Sequence, residues 1–275
     1  MEKTKNLKTK LPYKERRRVY LDNMKKDSYV LGAMVKKNFK AQYRGSILGV
    51  LWTILNPLLN MLVLSFIFSN LFGKGTGNYP VYLLCGNIIF NVMRQITTQS
   101  LTCLVTNSGL IKKTRISYSI FPLSNTFTAL VNFAFSFISL IIVMLIVKQE
   151  FHWTLVMTVT ILPALILFSL GLSFILASLY VFFRDIKHIY TVGVTLWQYL
   201  TPLFYTATAI DSAVAVKIIN LNPMTVYVTA FRDIVQWGVV PSGITYLIMY
   251  GWALGMLAVG YLFFAINRKK YILYI

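Results

Sequence analysis

The chain has 275 residues, of which 57% are hydrophobic and only 13% charged, with a mean hydropathy of +0.64 and a formal net charge of +19. Ordinary soluble domains carry roughly a quarter charged residues, so too few remain here to coat a globule, and the composition points to a membrane protein. Nucleic acid is not the implied partner. Fourteen of the 27 basic residues lie in the first 44 positions and most others flank apolar runs, as expected beside anionic lipid.

In chain order, residues 1–27 form a polar, basic cytoplasmic segment with Arg16, Arg17 and Arg18 consecutive. A signal peptide is not expected, because the first long apolar run starts only near Ile47 and no small-residue cleavage site follows. Residues 28–44 read as an amphipathic interfacial helix. Leu31, Val35, Phe39 and Tyr43 recur every fourth position, and Lys36, Lys40 and Arg44 run parallel one position on, with Lys37 beside them. Such a helix lies in the headgroup plane with its cations toward phosphate. It leads without a loop into the first of six apolar segments near the ~20 residues that span a bilayer. These are about 47–72, 81–106, 119–147, 155–182, 189–206 and 243–266, followed by a cytoplasmic tail at 267–275.

The first segment is interrupted by Asn56 and Pro57, where a missing backbone donor permits a bend. The second contains Asn87, Asn91, Arg94, Gln95 and Gln99, and so is expected to face protein rather than lipid. With the N-terminus inside, Lys112, Lys113, Arg115, Arg184, Lys187, Arg268, Lys269 and Lys270 also fall inside. Only Lys74, Lys148, Lys217 and Arg232 fall outside. Both termini are then cytoplasmic. The 207–242 stretch is broken by Pro223 and Gly238 and reads as short outer-face or re-entrant helices. The expected fold is therefore an all-α integral membrane protein.

The acidic residues form no catalytic pair, and His152 and His188 lie on opposite sides of the bilayer in this topology. "GKGTGN" at 73–78 lacks the order of a phosphate-cradling loop. No metal site, no cofactor and no catalytic residue is expected, so energy must come from a partner. Cys85 and Cys103, eighteen positions apart and about 27 Å apart on one helix, are expected to be packing residues. Two inner loops suit a partner. "SGLIKKTRISYSIFPLS" at 108–124 interleaves Leu110, Ile111 and Ile116 with Lys112, Lys113 and Arg115, and a helix there could enter a groove of a cytoplasmic protein. The other reading of it is a plain positive-inside loop. "FFRDIKHI" at 182–189 places Arg184 beside Asp185 at a span end, with a local ion pair and lipid anchor as its simpler reading.

The basic helix leading into "GSILGVLWTILNPLLNML", followed in order by "LIKKTRISYSIFPLS", "FFRDIKHI", "TPLFY" and "LNPMTVYVTAFRDI", resembles the membrane subunit of ABC-2-type polysaccharide exporters over about residues 28–266. That group exports teichoic acids, O-antigens and related lipid-linked glycans. The resemblance implies a homodimer of six-span subunits in the bacterial cytoplasmic membrane, bound to two copies of a separate ATPase that holds ATP and Mg. It implies that 108–117 is the coupling helix and that Lys36, Lys37, Lys40, Tyr43 and Arg44 lie at the substrate entry. It also implies that 207–242, with Asn222, Pro223, Tyr227, Arg232 and Asp233, is an outer gate hairpin. Arg184 and Asp185 join the coupling surface. Trp52, Asn56, Pro57, Phe90, Arg94, Trp197 and Tyr199 are the expected pore residues, with Phe66 a further aromatic candidate, because ring faces suit sugars. A permease for a drug or small lipid is the alternative, and a non-transport membrane enzyme or scaffold a more distant one.

Overall fold

The computed structural model describes residues 13–72, 77–114, 116–206 and 212–275, the side chains of 13–25 and 70–72 excepted; Arg115, expected at the coupling surface, lies outside them, as do 1–12 and 207–211 of the expected basic lead and hairpin. Among the described residues every regular element is helical. They are α1 (Tyr13–Gln42), α2 (Trp52–Phe72) after a 3₁₀ turn at Gly49–Leu51, α3 (Tyr79–Thr106), α4 (Ser108–Lys113) and α5 (Ile120–Ile146). Next come α6 (Thr158–Phe182) after a 3₁₀ turn at Trp153–Met157, α7 (Ile186–Leu200), α8 (Ala213–Leu221) and α9 (Pro223–Arg232), continued by a π turn at Asp233–Trp237. The chain ends with α10 (Gly243–Asn267) and α11 (Tyr271–Tyr274).

Four stretches are long and apolar enough to cross a membrane: Gly49–Ser69, Ile120–Ile146, Trp153–Phe182 and Gly243–Asn267. A fifth would be α8 and α9 with its π turn, taken together, but they bend by 83° at Asn222. Two expected spans differ from this pattern. α3 has 28 residues but is too polar, and its inward face buries more residues than any other helix among the described residues. α7 has only 15 residues, about 22 Å, against a hydrocarbon thickness of about 30 Å. Pro202 explains its early end, since the residue before a proline is pushed out of the helical region and Thr201 is extended.

The start of the chain also departs from expectation. α1 begins at Tyr13, not Ser28, and it does not run into the first apolar helix. A turn intervenes, with Gly45 at φ +81° and Gly49 at φ +49°, conformations that glycine adopts without steric cost. The Ser46 hydroxyl accepts from the Gly49 N–H at 3.1 Å and seats the 3₁₀ turn. Past that turn α2 is helical through Pro57. The Ser139 hydroxyl of α5 donates to the Ile54 carbonyl at 3.1 Å, beside the carbonyl that Pro57 leaves without its usual donor.

α3 lies at the centre, packed on α2, α5, α6 and α9. Cys85 and Cys103 are buried, free thiols within that packing. α6 and α10 meet at backbone contact. A Cβ on Gly260 would lie 2.0 Å from the Gly171 carbonyl oxygen, and one on Gly171 would lie 2.4 Å from the Met256 oxygen. Small residues at such a seam allow dispersion and backbone contacts to hold helices together where no hydrophobic drive exists. A second cluster closes the α4 end of the bundle, where Phe121, Phe174, Phe264 and Tyr271 converge.

Gly260→Ala is expected to force the α6–α10 seam apart and destabilise the protein by about 1–3 kcal/mol. Gly251→Ala, where a methyl meets nothing within 4 Å, should be neutral or slightly stabilising. Thermal unfolding of the two variants in the same detergent checks the contrast.

Candidate functional site

The uncovered side of α3 is polar. Asn87, Asn91, Arg94, Gln95, Thr98, Gln99, Thr102 and Thr106 recur at helical spacing and are all half-buried or exposed. Cys85, Ile89, Met93 and Ile96 fill the opposite side and are buried. Asn91, Arg94, Gln95, Thr98 and Gln99 line a groove of about 380 Å³. Arg94 Nη1 donates to Gln198 Oε1 of α7 at 3.2 Å, so one edge of the groove is tied to α7. Polar side chains at membrane depth are costly unless they meet water or other protein, and this row is left open by the subunit itself.

The other expected pore residues divide. Trp52 and Asn56 are exposed and Pro57 half-buried on the thinly covered α2, whose Phe66 is 85% exposed. Tyr199 is exposed on α7. Trp197 is half-buried, its indole N–H donating to Asn222 Oδ1 at 2.8 Å and its ring edge-on to Phe168. Phe90 cannot line a pore in this fold. It is fully buried in the core cluster, because the closed side of α3 begins at its position, about 40° around the helix from Arg94.

Lys36, Lys37, Lys40 and Arg44 are exposed along and just after α1, and Tyr43 is half-buried, its ring edge-on to Phe39 at 5.5 Å. Burial raises the Tyr43 phenol above its ordinary pKa, so it stays neutral. The other side of α1 is fixed to α5. Asn38 Nδ2 donates to Asn125 Oδ1 at 2.9 Å, Asn132 Nδ2 donates to Gln42 Oε1 at 3.0 Å, and Phe39 stacks on Phe135 at 6.0 Å. Asn125 in turn reaches Ser100 of α3 at 3.4 Å.

At the α4 end, Lys112 and Lys113 are exposed and Ile116 half-buried, but the apolar docking residues expected there turn inward. Ile111 is 7% exposed in the Phe121–Tyr271 cluster and half-buried Leu110 packs against the same cluster. They anchor α4 to its own bundle, since a six-residue helix cannot present an apolar row outward and stay seated. Arg184 and Asp185 are exposed, and Arg184 Nη2 donates to the Tyr274 carbonyl at 3.0 Å. The tail has a structural part that the sequence reading did not give it. Buried Tyr271 bonds Ser178 Oγ and the Phe264 carbonyl, meets Tyr118 edge-on, and has its phenol pushed up to about 12 by burial.

The opposite end is organised by α9. Tyr227, expected at a gate, is fully buried, and its hydroxyl donates to the Met249 carbonyl of α10 at 2.7 Å. Arg232, expected among outer-loop cations, is 3% exposed. Its Nε donates to the Tyr82 carbonyl at 3.2 Å, Nη1 to Pro202 at 2.7 Å and Nη2 to Leu203 at 2.9 Å, while its guanidinium lies 3.5 Å from the Tyr82 ring centroid. Asp233 is half-buried, and its carbonyl accepts from the Val239 N–H. Asn222 caps α9, which begins at Pro223; its Oδ1 accepts from Met224 N at 3.0 Å and its Nδ2 donates to Thr201 Oγ1 at 2.9 Å. Tyr79 and Tyr82 hydroxyls cap the Phe204 and Tyr205 carbonyls, each at 2.8 Å. The non-helical stretch after α7 thus has its carbonyls held by side chains of α3 and α9. Pro202 within "TPLFY", together with an arginine in an apolar segment, is the sequence signal that could have indicated this.

The family model of the ABC-2 type transporter matches residues 29–236. The O-antigen export system permease protein RfbA of Myxococcus xanthus is 31% identical over 206 residues, covering 74% of this chain and 79% of that protein. Two Klebsiella pneumoniae proteins of the same name are 31% and 30% identical over 212 and 213 residues, each covering 76% of this chain and 81% of the relative. With the family model spanning most of a multi-helix, apolar bundle, this chain is a member of the ABC-2 type transporter membrane family.

Proposed function

We propose that the chain is the permease subunit of an ABC transporter that exports a lipid-linked cell-surface polysaccharide, of O-antigen or teichoic acid type, across the bacterial cytoplasmic membrane. ATP and Mg are held by two copies of a separate ATPase, and two permease subunits form the conduit. The observation that carries this reading is the open polar row of α3 within an apolar bundle. A second subunit would enclose it, and hydroxyl-rich cargo would find hydrogen-bonding partners along it. The relatives' names support the polysaccharide class, and the exposed apolar sides of α2 and α7 support a second copy as the covering body.

In this reading there are six crossings: α2, α3, α5, α6 with its preceding turn, α7 continued by 201–206, and α10. Both termini lie in the cytoplasm, α8–α9 is an outer re-entrant hairpin, and the α4 end receives the ATPase. The basic side of α1 attracts the anionic head of the lipid carrier, at about 1 kcal/mol per charge near the surface. A permease for a drug or small lipid would lack any use for so long a polar row, and this separates the alternative.

Three measurements test the reading on the complex with its ATPase. Replacing Lys36, Lys40 and Arg44 together by alanine should raise the lipid-linked glycan concentration that half-stimulates ATP hydrolysis by on the order of a hundredfold, with basal hydrolysis intact. Arg94→Leu with Thr98→Leu should cut glycan export while leaving ATPase co-purification unchanged; unimpaired export would remove the α3 row from the conduit. Lys112→Glu with Lys113→Glu should weaken co-purification of the ATPase, whereas Ile111→Ala should act on stability instead, lowering it by about 2–5 kcal/mol.

A further inference from the structure

α7 and α9 are held very differently. α9 and its π turn are set into the bundle: Tyr227, Phe231, Ile234 and Val235 are fully buried, and Thr154 Oγ1 donates to the Ile234 carbonyl at 2.7 Å. α7 has a single buried residue, Val194, and exposes Ile189, Val192, Leu196 and Tyr199. Its bonds to the bundle are few and polar: Tyr190 to Thr97, Gln198 to Arg94, and Trp197 to Asn222. The two meet at both ends of α9: its cap Asn222 holds Trp197 and Thr201, and Arg232 in its last turn grips the Pro202 and Leu203 carbonyls just beyond the end of the loosely seated helix.

We propose that Arg232 is a positioning residue for transport: it latches the end of α7 to a fixed post formed by α9, and so sets the closed position of the conduit's mouth. The proposal rests on the exporter reading, within which α7 borders the conduit. Three features fit a latch rather than a simple buried pair. The guanidinium meets carbonyl dipoles, not a carboxylate, so the contact is exchangeable without leaving an orphaned anion. It grips backbone that is already non-helical, where rearrangement need not break helical hydrogen bonds. Its seat is cut to shape by Gly86, because a Cβ there would lie 2.6 Å from Nη2. A pinned fork cannot swing aside from such a methyl without losing at least one of its three bonds.

The test uses the assembled permease–ATPase complex in proteoliposomes, with passive leak of radiolabelled sucrose in the absence of ATP as the first readout and glycan exported per ATP hydrolysed as the second. Arg232→Lys keeps the charge but loses the fork. Gly86→Ala keeps the fork and displaces it. Each is expected to raise sucrose leak and lower export per ATP by on the order of tenfold, the consequence of losing one charged hydrogen bond, with ATP hydrolysis near the wild-type rate. Combining them should add little to either alone, because both act on the same contact. Wild-type retention of sucrose by both variants overturns the proposal. If Arg232→Lys does not assemble, Gly86→Ala decides; if neither assembles, the contact serves folding alone and the proposal is likewise overturned. A wild-type complex that hydrolyses ATP but exports no glycan would defeat the exporter reading, while the sucrose comparison would still report on the latch.

Discussion

Backbone polarity inside an apolar medium is the constraint on which this architecture depends. An unpaired peptide group in hydrocarbon costs several kcal/mol, so any stretch that leaves the helical state must find its partners elsewhere. Here the stretch is 201–205, and its partners are supplied one by one: Arg232 for Pro202 and Leu203, Tyr79 for Phe204, Tyr82 for Tyr205. The placement of α3 against α9, the bend at Asn222 and the absence of a side chain at Gly86 are all conditions for that pattern. A helix of 15 residues is tolerable in this bundle because its continuation is satisfied by side chains.

The same constraint sorts the remaining polar groups. Hydroxyls buried in the helices, such as Thr126, Thr128 and Ser169, donate to the carbonyl four residues back and demand nothing of their neighbours. Asparagines between helices pair with one another, as Asn38 does with Asn125. What is left over is the α3 row, whose amides and Arg94 exceed what the subunit can satisfy. A surplus of hydrogen-bonding capacity on one face of an otherwise apolar body calls for water, a polar solute or another protein surface there.

Much of the fold was legible in the sequence. Helix ends near 72, 106, 146, 182 and 243 follow from apolar run lengths, because hydropathy is averaged over many residues and tolerates single exceptions. The polar character of α3 was equally visible, since five amides and cations within one apolar run have no other reading. Single residues were harder. Arg232 looks like a loop cation because arginine is seldom buried without a carboxylate, and only the folded chain brings three carbonyls to it. Phe90 and Arg94 differ by four positions and were both read as pore residues. The open side of α3 is narrow, however, and the rotation of a helix about its axis depends on neighbours that periodicity does not reveal. Ile111 was assigned outward for the same reason. The early start of α1 was missed because its first turns are polar and carry no apolar stripe to announce them.

The pair of left-handed glycines at 45 and 49 has a mechanical meaning. A side chain at either would meet no other part of the chain within 4 Å, so the turn between α1 and α2 is held by its own short-range bonds and not by packing at these glycines. The contacts that tie α1 to the bundle run through Asn38 and Gln42 into α5 and, by way of Asn125, to Ser100 at the core of the molecule. The helix that bears the lysines is therefore a partner of α5 in packing, although α2 follows it in the chain.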